Sequence, residues 1–199
     1  MKNLLGDVVS EVDHMNHLVE DLLLMSRLDI GKLIMINEVV QLEELAGEIE
    51  RQYQPIMAEK FINFTVQSEA LKLFGDKVRL RQVILILLDN ELRHTYVKGK
   101  ILLTFKELDN HAVISVSDSG EGISVKHLPH VFERFYQAES DRRDGNSGSG
   151  LGLSIAKSIV EAHGGKISIQ SEMKVGTTVI CSFPFSEDLI RKQKKPIPN

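Results

Sequence analysis

Four short runs in the second half of the chain alternate apolar and polar residues: Ile101 to Phe105, Ala112 to Asp118, Lys166 to Gln170 and Thr177 to Phe183. A period of two puts every second side chain on one face of a sheet, so each run reads as a half-buried strand. The runs come in two pairs, and one helical stretch, about Leu151 to His163, stands between the pairs. Paired strands with few crossovers imply antiparallel strands with the helices gathered on one side. A doubly wound sheet is excluded, because strict strand–helix alternation is missing. The fold class expected is α+β, a two-layer α/β sandwich, and no internal repeat is visible.

The remaining segments fit that plan. From Gln41 the period is helical, with Leu42, Leu45, Ala46, Ile49, Tyr53, Ile56 and Met57 on one face and Pro55 as the expected kink. Ile62 to Val66 alternates like a strand. Asp76 is placed to cap a helix running to about Thr95 that turns Leu80, Ile84, Leu87 and Leu88 inward. Asp109-Asn110 reads as the turn of a hairpin, and Gly164-Gly165 as a helix stop. Between Ser119 and Gly150 lies a long polar, glycine-punctuated loop with one aromatic island, Phe132-Glu-Arg-Phe-Tyr136. A loop of that length inside a compact domain usually serves a function.

The N-terminal stretch differs in kind. Leu5, Val8, Val12, Met15, Val19 and Leu22 recur every three or four residues, the seam of a bundle or coiled coil. Leu4, Leu18, Leu23 and Met25 widen the stripe, which suits a four-helix bundle. Such a helix needs a partner, and self-association into a homodimer is expected; folding back onto the next domain is the alternative. Gly31 ends it, and Leu33 to Ile36 reads as an extended connector. The expected division is residues 1–32 as part of a bundle, 33–186 as the main domain and 187–199 as a solvated tail.

Composition narrows the class of function. A net charge of −4 argues against nucleic-acid binding by bulk positive charge. The longest unbroken apolar run, Val83 to Leu88, is too short to cross a bilayer, so no membrane segment is expected. The single cysteine, Cys181, makes neither an internal disulfide nor a metal cage and fits a reducing, cytoplasmic setting.

Three glycine-bearing stretches and one helix carry the chemistry. In Asp118-Ser-Gly120-Glu-Gly122 a strand runs out into a loop; glycine lets a flat ring approach the backbone, and a carboxylate there accepts from an exocyclic amine such as adenine's. Taken singly, a plain turn explains it equally well. Gly148-Ser-Gly150-Leu151-Gly152-Leu153 opens a helix, whose free N–H groups suit phosphate. Neither the dinucleotide fingerprint nor the Gly-x4-Gly-Lys-[Ser/Thr] loop is present, so Rossmann and P-loop readings fail. Gly176-Thr177-Thr178 opens the last strand. On the helix from Asp76, Asn90, Arg93 and His94 lie at spacings of three and four. A carboxamide oxygen suits a hydrated Mg2+ that bridges phosphates, and a guanidinium neutralises phosphate charge.

In this order the motifs resemble the catalytic, ATP-binding domain of sensor histidine kinases, relatives of the gyrase, mismatch-repair and chaperone ATPases. The resemblance covers roughly residues 35 to 186, and Val12 to Lys32 looks like the end of the kinase dimerisation bundle. It implies a Bergerat-type fold, a mixed sheet with helices on one face. It implies that Asp118 holds the adenine amine with Thr177 beside it, and that Gly120 and Gly122 shape that pocket. Asn90 would ligate Mg2+, Arg93 would face the phosphates, and His94 takes a place usually held by tyrosine. Gly148, Gly150, Leu151 and Gly152 would cradle the triphosphate, and Phe132 and Phe135 would anchor a mobile lid. The implied activity moves the γ-phosphoryl group of ATP to a bundle histidine, from which a response-regulator receiver domain takes it. The setting implied is the cytoplasm, or the cytosolic part of a membrane-bound sensor.

Three departures stand beside the resemblance. None of the seven histidines is followed directly by Asp or Glu, as the family's acceptor is, and His14 and His17 read as solvated helix positions. The chain is therefore expected to start after the first bundle helix and not to phosphorylate itself. Ile86 fills a slot where kinases carry asparagine and related ATPases a glutamate base, which weighs against an autonomous ATP hydrolase. Glu91 replaces a residue that is normally small. These departures motivate a competing expectation, a degenerate homologue acting as a nucleotide-gated dimerisation module without phosphotransfer.

Overall fold

The computed structural model describes residues 12, 15, 19, 22–26, 34–138 and 149–185. Among them run β1 (Glu38–Gln41), α1 (Leu42–Glu59), β2 (Asn63–Ser68), β3 (Lys72–Gly75), α2 (Lys77–His94), β4 (Lys100–Leu108), β5 (His111–Asp118), a 3-10 turn (Leu128–His130), α3 (Gly152–Ala162), β6 (Lys166–Glu172) and β7 (Gly176–Pro184). Five strands make one mixed sheet in the order β2-β4-β5-β7-β6, with β2 parallel to β4 and the other neighbours antiparallel.

Register explains why the helices share a side. Val66, Leu103, Val116, Val179 and Ile169 stand opposite one another across all five strands. Leu103, Val116 and Val179 belong to one core cluster with Leu45 and Ile49 of α1, Ile84 and Leu87 of α2, and Ile155 and Ile159 of α3, and the partly buried Val66 and Ile169 pack against it. One residue along, Gln67, Thr104, Ser115, Ile180 and Ser168 form the next row, on the opposite face. That face is held by side-chain hydroxyls: Thr104 and Ser115 bond at 2.6 Å, and Thr178 donates to Ser117 at 2.9 Å. The α/β sandwich expected from the sequence is the fold observed.

Several details differ from expectation. β1 and β3 pair antiparallel in a separate two-stranded sheet that the sequence did not disclose. Each has four residues, too few for an alternation to stand out. α1 continues through Pro55 as one helix, and Ile56 on its expected inner face is 37% exposed. Asp109 and Asn110 both take positive φ, 50° and 59°, the conformation that closes a two-residue hairpin.

The described N-terminal residues, 12, 15, 19 and 22–26, are helical. Val12, Met15, Val19 and Leu22 are exposed, whereas Leu24 and Met25 are buried in the core cluster. The helix therefore packs inward through Leu24 and Met25 while the described part of its seam faces out. His14, His17 and the tail 187–199 lie outside the described residues.

Candidate nucleotide site

The site begins with what fixes α2. Asp76 caps it: one carboxylate oxygen accepts from Arg79 N–H at 3.1 Å, and the other accepts from Ile36 N–H at 2.9 Å. Burial works against the charge, but N–H groups of Ile36, Arg79 and Val78 hold this carboxyl below its ordinary pKa. Asp76 N–H in turn donates to His163 Nε2 at 3.0 Å, so the ring proton sits on Nδ1, facing Ile159 O at 2.8 Å. His163 thus ties the end of α3 to the start of α2.

At the other end of α2, Asn90, Glu91 and His94 line a cavity of about 450 Å3. Gly122, Lys126 and His127 from the loop after β5, Leu153 of α3 and Thr177 of β7 help close it. Helix geometry accounts for the membership. At about 100° per residue, His94 and Glu91 stand roughly 40° and 100° round from Asn90. Ile86 and Arg93 fall on the other flank, roughly 40° and 60° back. Arg93 is accordingly exposed and is not in the cavity wall. Ile86 packs into the core cluster, with its Cγ2 3.2 Å from where a Cβ on Gly152 would stand.

Asp118 sits at the end of β5, behind the wall. Its Oδ2 accepts from Thr177 N–H at 2.6 Å, and its Oδ1 accepts from Gly120 N–H. Gly120 is required there, since a Cβ would fall 2.1 Å from the His94 carbonyl oxygen. The Thr177 hydroxyl pairs with Ser171 at 2.9 Å. His94 Nδ1 lies 2.7 Å from Glu121 Oε1, which draws the end of α2 onto the loop.

Glu91 is 1% exposed. Burial, and after it the adjoining Asp118 carboxylate, push its pKa well above the ordinary carboxylate range, with Asn90 opposing. Its Oε1 has no hydrogen-bond partner among the described residues.

The loop ahead of α3 is held by main chain. Gly150, at φ 69°, accepts from Phe135 N–H at 2.9 Å. Leu151 is buried, and its N–H donates to the Ser149 hydroxyl at 3.2 Å. Phe132 is half-buried, whereas Phe135 is 60% exposed and is tied down through its backbone N–H. Gly148 lies outside the described residues. Sequence reasoning missed Lys126, His127, Glu121 and Tyr136 as site residues. Tyr136 OH and His127 Nδ1 bond at 2.6 Å, and the His130 ring lies 5.4 Å from the Tyr136 ring. The aromatic island gave a hint of Tyr136; nothing local marked the others.

The elements that build this cavity, from the end of β3 to the end of β7, coincide with a recognised unit. Residues 75–187, more than half of the chain, match the model described as histidine kinase-, DNA gyrase B-, and HSP90-like ATPase, and the chain belongs to that family. Within it, the similarity runs to sensor kinases. The chain is 34% identical over 188 residues to the sensor protein SrrB of Staphylococcus aureus, covering 94% of this chain and 32% of SrrB. It therefore spans about a third of the length of the curated relatives it matches. Among solved structures, full-length ShkA in complex with AMPPNP is 28% identical, with a TM-score of 0.81, covering 93% of this chain and 39% of ShkA. The catalytic domain of histidine kinase ThkA is 28% identical, with a TM-score of 0.68, covering 77% of this chain and 99% of that domain.

Proposed function

We propose that this chain is the ATP-binding catalytic part of a sensor histidine kinase and donates the γ-phosphoryl group of Mg-ATP to a histidine of a dimerisation bundle. The observation that carries the reading is the cavity itself, with Asn90 and His94 on one wall, Thr177 and Gly122 on another, and Asp118 directly behind. The solution of ShkA with AMPPNP supports a nucleotide as the occupant.

Residues 33–186 form the catalytic unit, 1–32 the end of the bundle helix through which the chain forms a homodimer, and 187–199 a tail. Asp118 receives the adenine amine, and Gly120 and Gly122 leave room for the ring. Gly148, Gly150, Leu151 and Gly152 present the N–H groups of α3's start to the triphosphate. Arg93 reaches the phosphates only by swinging round from its outer flank. Phe132 and the Phe135 main chain hold the base of the lid.

The described residues contain no group of three or more His, Cys, Asp or Glu able to hold a metal. Mg2+ fits nevertheless, because it keeps most of its water, borrows phosphate oxygens and asks the protein for few ligands, here the Asn90 carboxamide. When bound it neutralises charge on the phosphates. What the chain supplies is position and charge neutralisation, the main terms in phosphoryl transfer. A response-regulator receiver domain takes the phosphoryl group onward. No described helix is long and apolar enough to cross a membrane; the likeness to a sensor protein supports a place in the cytoplasm or the cytosolic part of a membrane sensor.

Calorimetric titration with Mg-ATP tests binding, and radiolabelled ATP with an added bundle fragment bearing an acceptor histidine tests transfer. Heat of binding and label on the histidine are expected. Folded protein that gives no heat at millimolar nucleotide refutes the reading. Heat without label leaves the degenerate, nucleotide-gated module in its place.

A further inference from the structure

Among the described residues that line the cavity, Lys126 is the only lysine or arginine, and it makes no hydrogen bond or ion pair with another described residue. The two acidic side chains of the wall do not claim it. Glu121 is met by His94 at 2.7 Å, and burial holds Glu91 toward its neutral form. The backbone beneath Lys126 is nevertheless fixed. His127 N–H donates to Ser124 O at 2.8 Å, closing a tight turn with Val125 and Lys126 at its corner. On one side, Ile123 N–H donates to the Ser171 hydroxyl at 2.7 Å, which fastens the turn to β6. On the other, His127 Nδ1 and Tyr136 OH bond at 2.6 Å, and His130 N–H donates to His127 O at 2.9 Å. A turn held from both sides thus carries an exposed, uncommitted ammonium at the wall of a cavity. A lysine so placed suits an anion, which it meets as a point charge.

We propose that Lys126 is a phosphate-binding residue: its ammonium pairs with the polyphosphate of the nucleotide that fills the cavity. This deepens the nucleotide reading above and rests on it. A triphosphate carries more negative charge than one Mg2+ balances, and Lys126 offers the remainder from the wall itself, whereas Arg93 stands outside it. The apolar members of the wall, Ile123, Leu153 and Met173, have nothing to offer a phosphate and suit the ring instead.

The test is calorimetric titration of the full chain with ATP, Mg2+ present. Lys126→Gln is expected to bind ATP about tenfold more weakly than wild type. Lys126→Arg keeps the charge and should stay within about threefold. Lys106→Gln removes the same charge from an exposed position on the hydroxyl-bearing face of β4, and should also stay within about threefold. Raising the salt from about 50 to about 500 mM should narrow the gap between wild type and Lys126→Gln. Wild type that binds ATP while Lys126→Gln binds it as tightly overturns the assignment. Equal losses in Lys126→Gln and Lys106→Gln overturn it too, and make the effect one of overall charge. A gap that salt leaves unchanged overturns the charge contact. Wild type that binds no ATP overturns the nucleotide site itself, and the assignment falls with it.

Discussion

The two ends of α2 are built on opposite terms. At its start, both Asp76 oxygens accept backbone N–H groups, and the Asp76 N–H is met by His163. At its end, Glu91 is as buried as a core leucine and keeps an oxygen with no partner among the described residues. One end is closed and serves the fold; the other carries an unmet demand beside a cavity. The difference shows where stability was given up, and local inconsistency of this kind tends to mark a functional position.

Substitutions along one helix can break that contrast. The largest effect is expected from Asn90→Ala, which should slow transfer of labelled phosphoryl to an added bundle fragment by about 10²-fold or more. Its unfolding midpoint without nucleotide should match wild type; a large drop would make Asn90 part of the scaffold. Next is Ile84→Ala, at 0% exposure in the middle of the helix, with an expected loss of about 2–5 kcal/mol in urea unfolding. A loss below about 1 kcal/mol would mean the site relaxes around the cavity.

Removing the cap with Asp76→Ala should cost about 1–2 kcal/mol and leave nucleotide affinity unchanged. The pH dependence has a definite sign. A carboxyl held below its ordinary pKa in the fold adds stability above the unfolded value, and that stability is lost as pH falls through the folded value. Comparing wild type with Asp76→Asn by thermal melting from neutral to acid pH should show the gap closing on the acid side. A gap that stays constant would separate the cap from its charge. The smallest effect is expected for Glu91→Leu, within about 1 kcal/mol and on the stabilising side, because it removes a buried carboxyl with an unmet oxygen. A clear loss of stability would show that Glu91 is a structural member like Asp76.

Much of this was legible from residue order, for physical reasons that also mark its limits. The Asp76 cap, the inward face of α2 and the paired strands are local patterns, and local patterns are written in neighbouring residues. Asp118 and Gly120 were singled out because their types suit the chemistry and Thr177 through the family resemblance, and the three do meet, across a separation that only the sheet register closes. The parallel pairing of β2 with β4 was not legible, since nothing in Ile62 to Val66 states its direction. Arg93 stands outside the cavity wall because a spacing of three and a spacing of four diverge on a helix, and the cavity lies toward Glu91. The Glu91–Asp118 contact joins two elements distant in sequence, and no local motif announces it.

The hydroxyl-studded side of the sheet has a consequence for encounters with other molecules. Thr104 pairs with Ser115 and Thr178 with Ser117, so these hydroxyls meet their needs within the sheet, beside Leu102, Val113 and Ile180 of the same face. The helices, with the cavity-lining residues of α2 and α3, belong to the opposite side. The molecule thus has a front and a back.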